Sequence, residues 1–403
     1  MSDSVHRPLN RRQWLLSTGL AAGSSVLMPS VLPALGTTRA LAGRSLAGLS
    51  SAEYREVLVQ MEADATAARR AAGPIRLCFN ENPFGMSPKA KEAVMAGWNG
   101  HNRYDPPEEG ELTQAFAKHV GVDASNVLVA QGSQEILSVA ALAYVRSGTD
   151  VVIPWPTFEG LPDYTTQLGA NVLRVPLDAN LQHDLAAMER QITNNTSLVF
   201  VCNPNNPTGT LAESQQLRDF VRSASRRAMV IVDEAYHDFI DDPNYRSMAD
   251  LAMAGENVIV SRTASKVHGL AAIRIGFAIA RPDVIKRLHG LVTGQPNMFG
   301  LQAALASVRD TEYQTFVKTR NREGRELLTR TLTALGKRVA PSQTNFVFFQ
   351  AGMPAERVQA ALLAKGYRIG RTFPPYGDWC RVSVGTGEEM RGVCAVMGEV
   401  LRG

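Results

Sequence analysis

Between residues 126 and 280, seven short and near-continuous apolar runs alternate with helical stretches, and no other feature restricts the fold as much. The runs cover 126–130, 150–153, 171–175, 197–201, 229–233, 258–261 and 275–280. A strand that is apolar at every position, rather than at every second one, is covered on both faces. Helical patterns at 134–145, 212–224 and 282–291 lie between the runs and supply the cover. The expectation is an α/β domain with a seven-stranded, mostly parallel sheet flanked by helices. From 311 the pattern changes. A long charged helix over 311–335 precedes strands at 338–340, 345–349 and 380–384 and helices at 354–365 and 388–401. That order gives a second, smaller α+β domain. The expected division is 43–103 as N-terminal arm and part of the small domain, 104–295 as the large domain, and 296–403 as linking helix and small C-terminal domain. A chain of 403 residues, 45% of them hydrophobic, can bury two such cores.

The formal net charge is +4, and three of those charges lie in residues 1–42, where Arg7, Arg11, Arg12 and Arg39 face only Asp3. The remainder is nearly neutral and carries no basic cluster, so no nucleic-acid partner is expected. Cys78, Cys202, Cys380 and Cys394 form no C-x-x-C pair and have no metal-site spacing. Cys78 and Cys202 lie in apolar runs and read as small buried hydrophobes.

Asn10-Arg11-Arg12-Gln13-Trp14-Leu15-Leu16 opens a weakly apolar stretch ending near Leu35, and Ala40-Leu41-Ala42 has the form of a cleavage site. Charged, apolar, small is the order of a bacterial export signal. The arginine pair, followed by Trp14 and leucines, resembles a twin-arginine signal. Gly19, Gly23, Pro29 and Pro33 interrupt the stretch, so no stable membrane span is expected. Residues 1–42 are therefore expected to be a signal peptide for the twin-arginine export machinery, which carries proteins already folded around a cofactor. The mature chain would be periplasmic, or cytoplasmic where the signal does not function. Folding in the reducing cytosol also accounts for unpaired cysteines in an exported protein.

Sheets of this kind bind ligands at the carboxyl ends of their strands. Three polar signals fall there. Asn203-Pro204-Asn205-Asn206-Pro207-Thr208-Gly209 follows the fourth run, Asp233-Glu234-Ala235-Tyr236 closes the fifth, and Ser265-Lys266 comes just after the sixth. They offer an amide, a carboxylate, a phenol and a primary amine, the set that holds an aromatic aldehyde cofactor and runs electrons into it. Only lysine supplies a side-chain primary amine that can be neutral at working pH. The asparagine-proline run is also turn chemistry, and the two readings agree on a turn that aims an amide. Gly132-Ser133-Gln134 lies between a strand and a helix. Backbone N–H groups at that helix start can hold an anion, although Gly-Ser is also a plain cap.

With Asn80-Glu81-Asn82-Pro83, Arg103-Tyr104 and Arg381-Val382-Ser383-Val384-Gly385 added, residues 76–401 resemble the class I/II, fold-type-I pyridoxal-phosphate aminotransferases, most of all the histidinol-phosphate aminotransferase branch. The resemblance implies pyridoxal 5'-phosphate as cofactor and no metal. It implies that Lys266 holds the cofactor's aldehyde and then moves the proton between substrate and cofactor. Asp233 would face the pyridine nitrogen, Tyr236 and Asn206 the phenolic oxygen, and Phe158 the ring face. Gly132, Ser133, Gln134, Thr263, Ser265 and Arg274 would cradle the phosphate. Tyr104 would reach the phosphate of the neighbouring subunit, which implies a homodimer with shared active sites. Asn82, Arg371 and Arg381 would face the substrate, with Arg381 as the fork for its anionic group. The small-molecule partners are then a 2-oxo acid acceptor and an amino donor that is histidinol-phosphate-like, aromatic or histidine-like.

Some positions depart from the family pattern. Phe84 stands where tyrosine is frequent, Gln134 where aspartate is frequent, and His268-Gly269-Leu270-Ala271-Ala272 replaces an aromatic residue followed by Gly-Leu-Ala-Gly. A decarboxylase or carbon–sulfur lyase would use the same Lys266, Asp233 and cradle. A non-catalytic pyridoxal-phosphate-binding protein is a further alternative, but residues 43–75 are too short for the DNA-binding domain that such regulators carry.

Overall fold

The computed structural model describes residues 46–100, 102–104 and 107–402, so the export-signal reading of residues 1–42 lies outside the described residues. A short strand, β1 (Ile75–Leu77), precedes the main sheet. That sheet holds β2 (Val127–Ala130), β3 (Asp150–Trp155), β4 (Asn171–Pro176), β5 (Thr196–Cys202), β6 (Met229–Asp233), β7 (Val258–Thr263) and β8 (Gly276–Ile279). Its spatial order is β2-β8-β7-β6-β5-β3-β4. Strands β3 to β7 run parallel, and β8 alone is reversed against both β7 and β2. All seven apolar runs are strands of this one sheet.

The reason lies in how successive side chains part to opposite faces. Val199 and Val201 of β5 join Val230 and Val232 of β6 in one core. Leu198, Phe200 and Cys202 join Met229 and Ile231 in the other. The helix Ser214–Ser225 covers the first face with Leu217, Phe220, Val221 and Ala224, the stripe of an amphipathic helix. The helix Ser133–Tyr144 covers the second with Ile136, Leu137 and Ala140. Each large apolar side chain buried in this way contributes about 1.5–3 kcal/mol.

Beyond the long helix Thr311–Ala334 lie β9 (Phe346–Gln350), β10 (Tyr367–Ile369) and β11 (Trp379–Ser383). β9 pairs antiparallel with β11, and β10 pairs parallel with β1. The strand expected at 338–340 is a single bridge between Val339 and Phe349. Gly336, at φ 70°, has only just turned the chain out of the long helix, and Pro341 ends any pairing. The helix Ser51–Ala71 was not expected, yet its start is a capping box of Ser50 and Glu53. Its Tyr54 and Leu58 pack in one cluster with Tyr236, Val267, Tyr313 and Phe346, so the N-terminal helix braces the floor of the site. Among the described residues no helix is long and apolar enough to cross a membrane.

Candidate active site

Parallel register sets the first geometry. Cys202, the last residue of β5, pairs with Asp233, the last of β6, which in turn pairs with Ser261 on β7. Asp233 and Glu234 then point to opposite sides. Glu234 is buried against Arg262 at 2.7 Å and accepts from the Met248 N–H and the Ser247 hydroxyl. Burial opposes its ionisation, but Arg262 and these donors hold it below the usual carboxylate range. Asp233 has no such guanidinium. Its Oδ1 is buried without a partner among the described residues. Burial pushes its carboxyl up to about 7, against the pull of the Ser261 hydroxyl, the Ala235 N–H and the Lys266 amine.

Lys266 lies in the loop after β7, and its Nζ donates to the Asn80 carbonyl at 3.1 Å. The amine is 5.4 Å from the centre of the Tyr236 ring. Burial first, and then the nearby Arg381 cation, lower its pKa to about 8. The Tyr236 hydroxyl accepts from Asn80 Nδ2 at 3.0 Å, and burial raises its pKa. Arg381 is buried, and burial lowers its pKa to about 10. Its Nη1 donates to Asn206 Oδ1 at 2.5 Å and its Nη2 to the Cys78 carbonyl at 2.8 Å, while Nε has no partner among the described residues. Lys266, Asp233, Tyr236, Asn206 and Arg381 are therefore brought together.

A second group assembles where β2 and β7 end and β8 begins. Gly132 (φ 82°) opens the helix Ser133–Tyr144, and the Arg274 guanidinium crosses it. A Cβ on Gly132 would lie 2.3 Å from Arg274 Nη2, and one on Gly276 would lie 2.3 Å from the Ser133 nitrogen. The Thr263 hydroxyl donates to Ser265 Oγ at 3.0 Å, and Arg274 Nη1 approaches the same oxygen at 3.5 Å. A helix start, two hydroxyls and an exposed guanidinium form an anion cradle. Gln134 stands beside it and donates to the Gly160 carbonyl at 3.3 Å, tying the helix to the turn that carries Phe158.

Three expected residues sit differently. Asn82, expected toward the substrate, turns its amide inward: Nδ2 donates to the Val267 carbonyl (2.9 Å) and to Tyr313 Oη (3.1 Å), and Oδ1 accepts from the Phe84 N–H. It fastens the loop that follows Lys266. Arg371 is exposed and held by the Glu159 carboxylate. Tyr104 is 94% exposed and stands outside the cluster. Sequence reasoning gave no role to Asn80, Ser383 or Glu159. The first two lay inside quoted motifs, and Glu159 follows Phe158 directly.

The residues fit a pyridoxal phosphate. The unpaired buried Oδ1 of Asp233 suits a protonated ring nitrogen, the cradle suits a phosphate, and the Lys266 amine, its pKa lowered to about 8, is partly neutral at working pH. Residues 72–397 match the family aminotransferase class I and II. The chain belongs to that family. It is 35% identical over 334 residues to the histidinol-phosphate aminotransferase of Brevibacillus brevis, which covers 82% of this chain and 91% of that protein. To the enzyme of the same name from Bacillus cytotoxicus it is 36% identical, covering 81% and 89%. The structure of histidinol-phosphate aminotransferase from Sinorhizobium meliloti in complex with pyridoxal-5'-phosphate superposes with a TM-score of 0.76 at 25% identity, covering 81% of this chain and 90% of that one. The protein is thus a pyridoxal-phosphate-dependent aminotransferase, moving an amino group from a small-molecule donor to a 2-oxo acid.

Proposed function

We propose that the amino donor is a histidinol-phosphate-like amine, bound through its anionic group by Arg381 and Arg371. The observation that carries this reading is their placement about one ring: Arg381 lies 4.7 Å and Arg371 4.5 Å from the centre of Phe373. One guanidinium satisfies a carboxylate, whereas two suit a dianion such as phosphate. The names of the 35–36% identical relatives point the same way.

Bound pyridoxal phosphate supplies an aldehyde that condenses with amines and a ring that accepts the electrons of the broken C–H bond. The remaining work falls to side chains of this chain. The Lys266 amine rests on the Asn80 carbonyl, and its Nζ would hold the cofactor's aldehyde and take the donor's proton. A pKa near 8 lets that nitrogen accept and return a proton at working pH. Asp233 would offer its unpaired oxygen to the ring nitrogen, and Tyr236 and Asn206 would orient the phenolic side. Gly132, Ser133, Thr263, Ser265 and Arg274 would hold the phosphate, with Gln134 and Phe158 beside the ring. Tyr104, exposed on its own subunit, completes the cradle of a second copy in a homodimer. Residues 1–42 direct the folded, loaded protein to the periplasm by the twin-arginine route.

A donor screen on purified protein tests the reading. Histidinol phosphate should convert the bound cofactor to its aminated form, seen as loss of the aldehyde absorbance, at far lower concentration than histidinol, histidine or an aromatic amino acid. Equal response to histidinol and its phosphate would sink the phosphate reading. Release of carbon dioxide or sulfide without an aminated cofactor would instead favour the decarboxylase or lyase.

A further inference from the structure

We infer that Asn80 and Ser383 fix the direction of the hydrogen bond at Tyr236, so that the phenol keeps its own proton for the cofactor's phenolic oxygen. The inference rests on the role proposed above for Tyr236 and adds two residues that set it.

Asn80 and Ser383 are 2% and 3% exposed, so their polar groups find partners within the protein. The Asn80 N–H lies 2.8 Å from Ser383 Oγ. A backbone N–H only donates, so Ser383 Oγ accepts there. Its own hydrogen goes to its other contact, Asn80 Oδ1, at 3.0 Å. That bond settles which way the amide faces. With Oδ1 turned to Ser383, Nδ2 must be the atom 3.0 Å from Tyr236 Oη. Nδ2 carries hydrogens and no lone pair, so Tyr236 accepts, and its own hydrogen is left for another partner. The reversed amide would strand the Ser383 hydrogen in a buried site.

The backbone holds this arrangement in place. Asn80 sits at φ 55°, a left-handed conformation that asparagine and aspartate adopt more readily than other residues with side chains. Its carbonyl accepts from Asn345 Nδ2 at 2.9 Å and from Lys266 Nζ at 3.1 Å. One residue therefore holds the amine that moves the proton and orients the phenol beside it. Aspartate at this position would keep the backbone and both hydrogen bonds with Ser383 but offer only acceptors, and would capture the Tyr236 proton.

The test is a pH titration of the bound cofactor's visible absorbance in a double-mutant cycle. A donor at the phenolic oxygen stabilises its anion and lowers the midpoint, so Tyr236→Phe should raise it. Asn80→Asp should raise it as well, partly through its charge. The charge acts with or without the Tyr236 hydroxyl, whereas the capture of a proton needs the hydroxyl. We expect Asn80→Asp to raise the midpoint by about one pH unit more in the wild-type background than in Tyr236→Phe. Additive shifts would overturn the inference. An unchanged midpoint in Tyr236→Phe would overturn the role of Tyr236 itself, a separate failure. If Asn80→Asp does not retain cofactor, the uncharged Ser383→Ala takes its place. It should raise the midpoint with Tyr236 present and leave it unchanged in the Phe background, and no change with Tyr236 present would be equally decisive against the inference.

Discussion

Glu159 holds the guanidinium of Arg371, so a carboxylate of this chain occupies the exposed arginine beside Phe373. Both partners reach solvent, with side chains 35% and 53% exposed. An exposed pair of this kind contributes about 0.2–1 kcal/mol. A substrate anion that takes Arg371 must displace Glu159. Glu159→Gln should therefore lower the donor KM by up to about five-fold with kcat unchanged, and the gain should shrink at high salt. Steady-state kinetics at two ionic strengths would show it, and a KM that rises would refute the competition.

Asp233 sets a stability cost in the native chain. In the unfolded chain its carboxyl titrates near 3.8, and burial in the native apoprotein moves it to about 7. Between those values the native state keeps a proton that the unfolded state has lost. Stability therefore falls as pH rises from about 4 to 7, and the full penalty, on the order of 4 kcal/mol, persists above that window. Asp233→Asn should remove this part of the slope. Urea unfolding of both apoproteins at pH 5 and pH 8 should show the variant gaining on the wild type at pH 8, while cofactor retention and turnover collapse. Equal pH dependence in the two proteins would contradict the argument.

Those residues also show how far the sequence could be read. Strands buried on both faces leave an unbroken apolar signature, and for that reason β5 and β6 were legible to within a residue. The gathering of Lys266, Asp233, Tyr236 and Asn206 at one sheet edge was legible because each follows or closes such a run. The strands β1 and β10 have three residues each, too few for a period to appear, and they pair residues 75–77 with the distant residues 367–369. Asn80 and Ser383 were hidden for a related reason. Their hydrogen bonds join positions 303 residues apart, and no local pattern records a contact at that distance. Asn82 misled because a motif gives a residue's type and place without saying which way its amide turns.

Close backbone approach makes Gly276 a remote test of the phosphate cradle. A Cβ there would meet the Ser133 nitrogen at 2.3 Å and the Gly132 carbonyl carbon at 2.4 Å, both main-chain atoms that cannot swing aside. Gly276→Ala should push the helix start away from Arg274 and weaken cofactor binding by about ten-fold or more, the loss of one charge-assisted hydrogen bond. Equilibrium dialysis of the apoprotein against pyridoxal phosphate measures this, and wild-type affinity would mean that the helix start does not hold the phosphate.

Export can be tested without chemistry. Replacing the pair with Arg11→Lys and Arg12→Lys keeps the charge and removes the twin-arginine pattern. The expected outcome is enzyme retained in the cytoplasm, full-length and loaded with cofactor. Fractionation followed by the visible spectrum reads both properties, and undiminished periplasmic recovery would exclude this route.

Tyr104 offers the sharpest test of a shared site, because it is 94% exposed on its own subunit. In a two-fold homodimer each site would combine Lys266 of one chain with the partner's Tyr104. Lys266→Ala alone should abolish turnover, and Tyr104→Ala should lower it by weakening the phosphate cradle. When the two defective chains are unfolded together and refolded, each mixed dimer gathers both defects in one site and leaves the other intact. With equal mixing, half of the dimers are mixed, so roughly a quarter of wild-type activity should return. Recovery near that level, absent when the variants are refolded separately, would place Tyr104 in the neighbouring site. If the mixture regains nothing beyond the residual activity of Tyr104→Ala, each chain works alone and the exposed tyrosine needs another explanation.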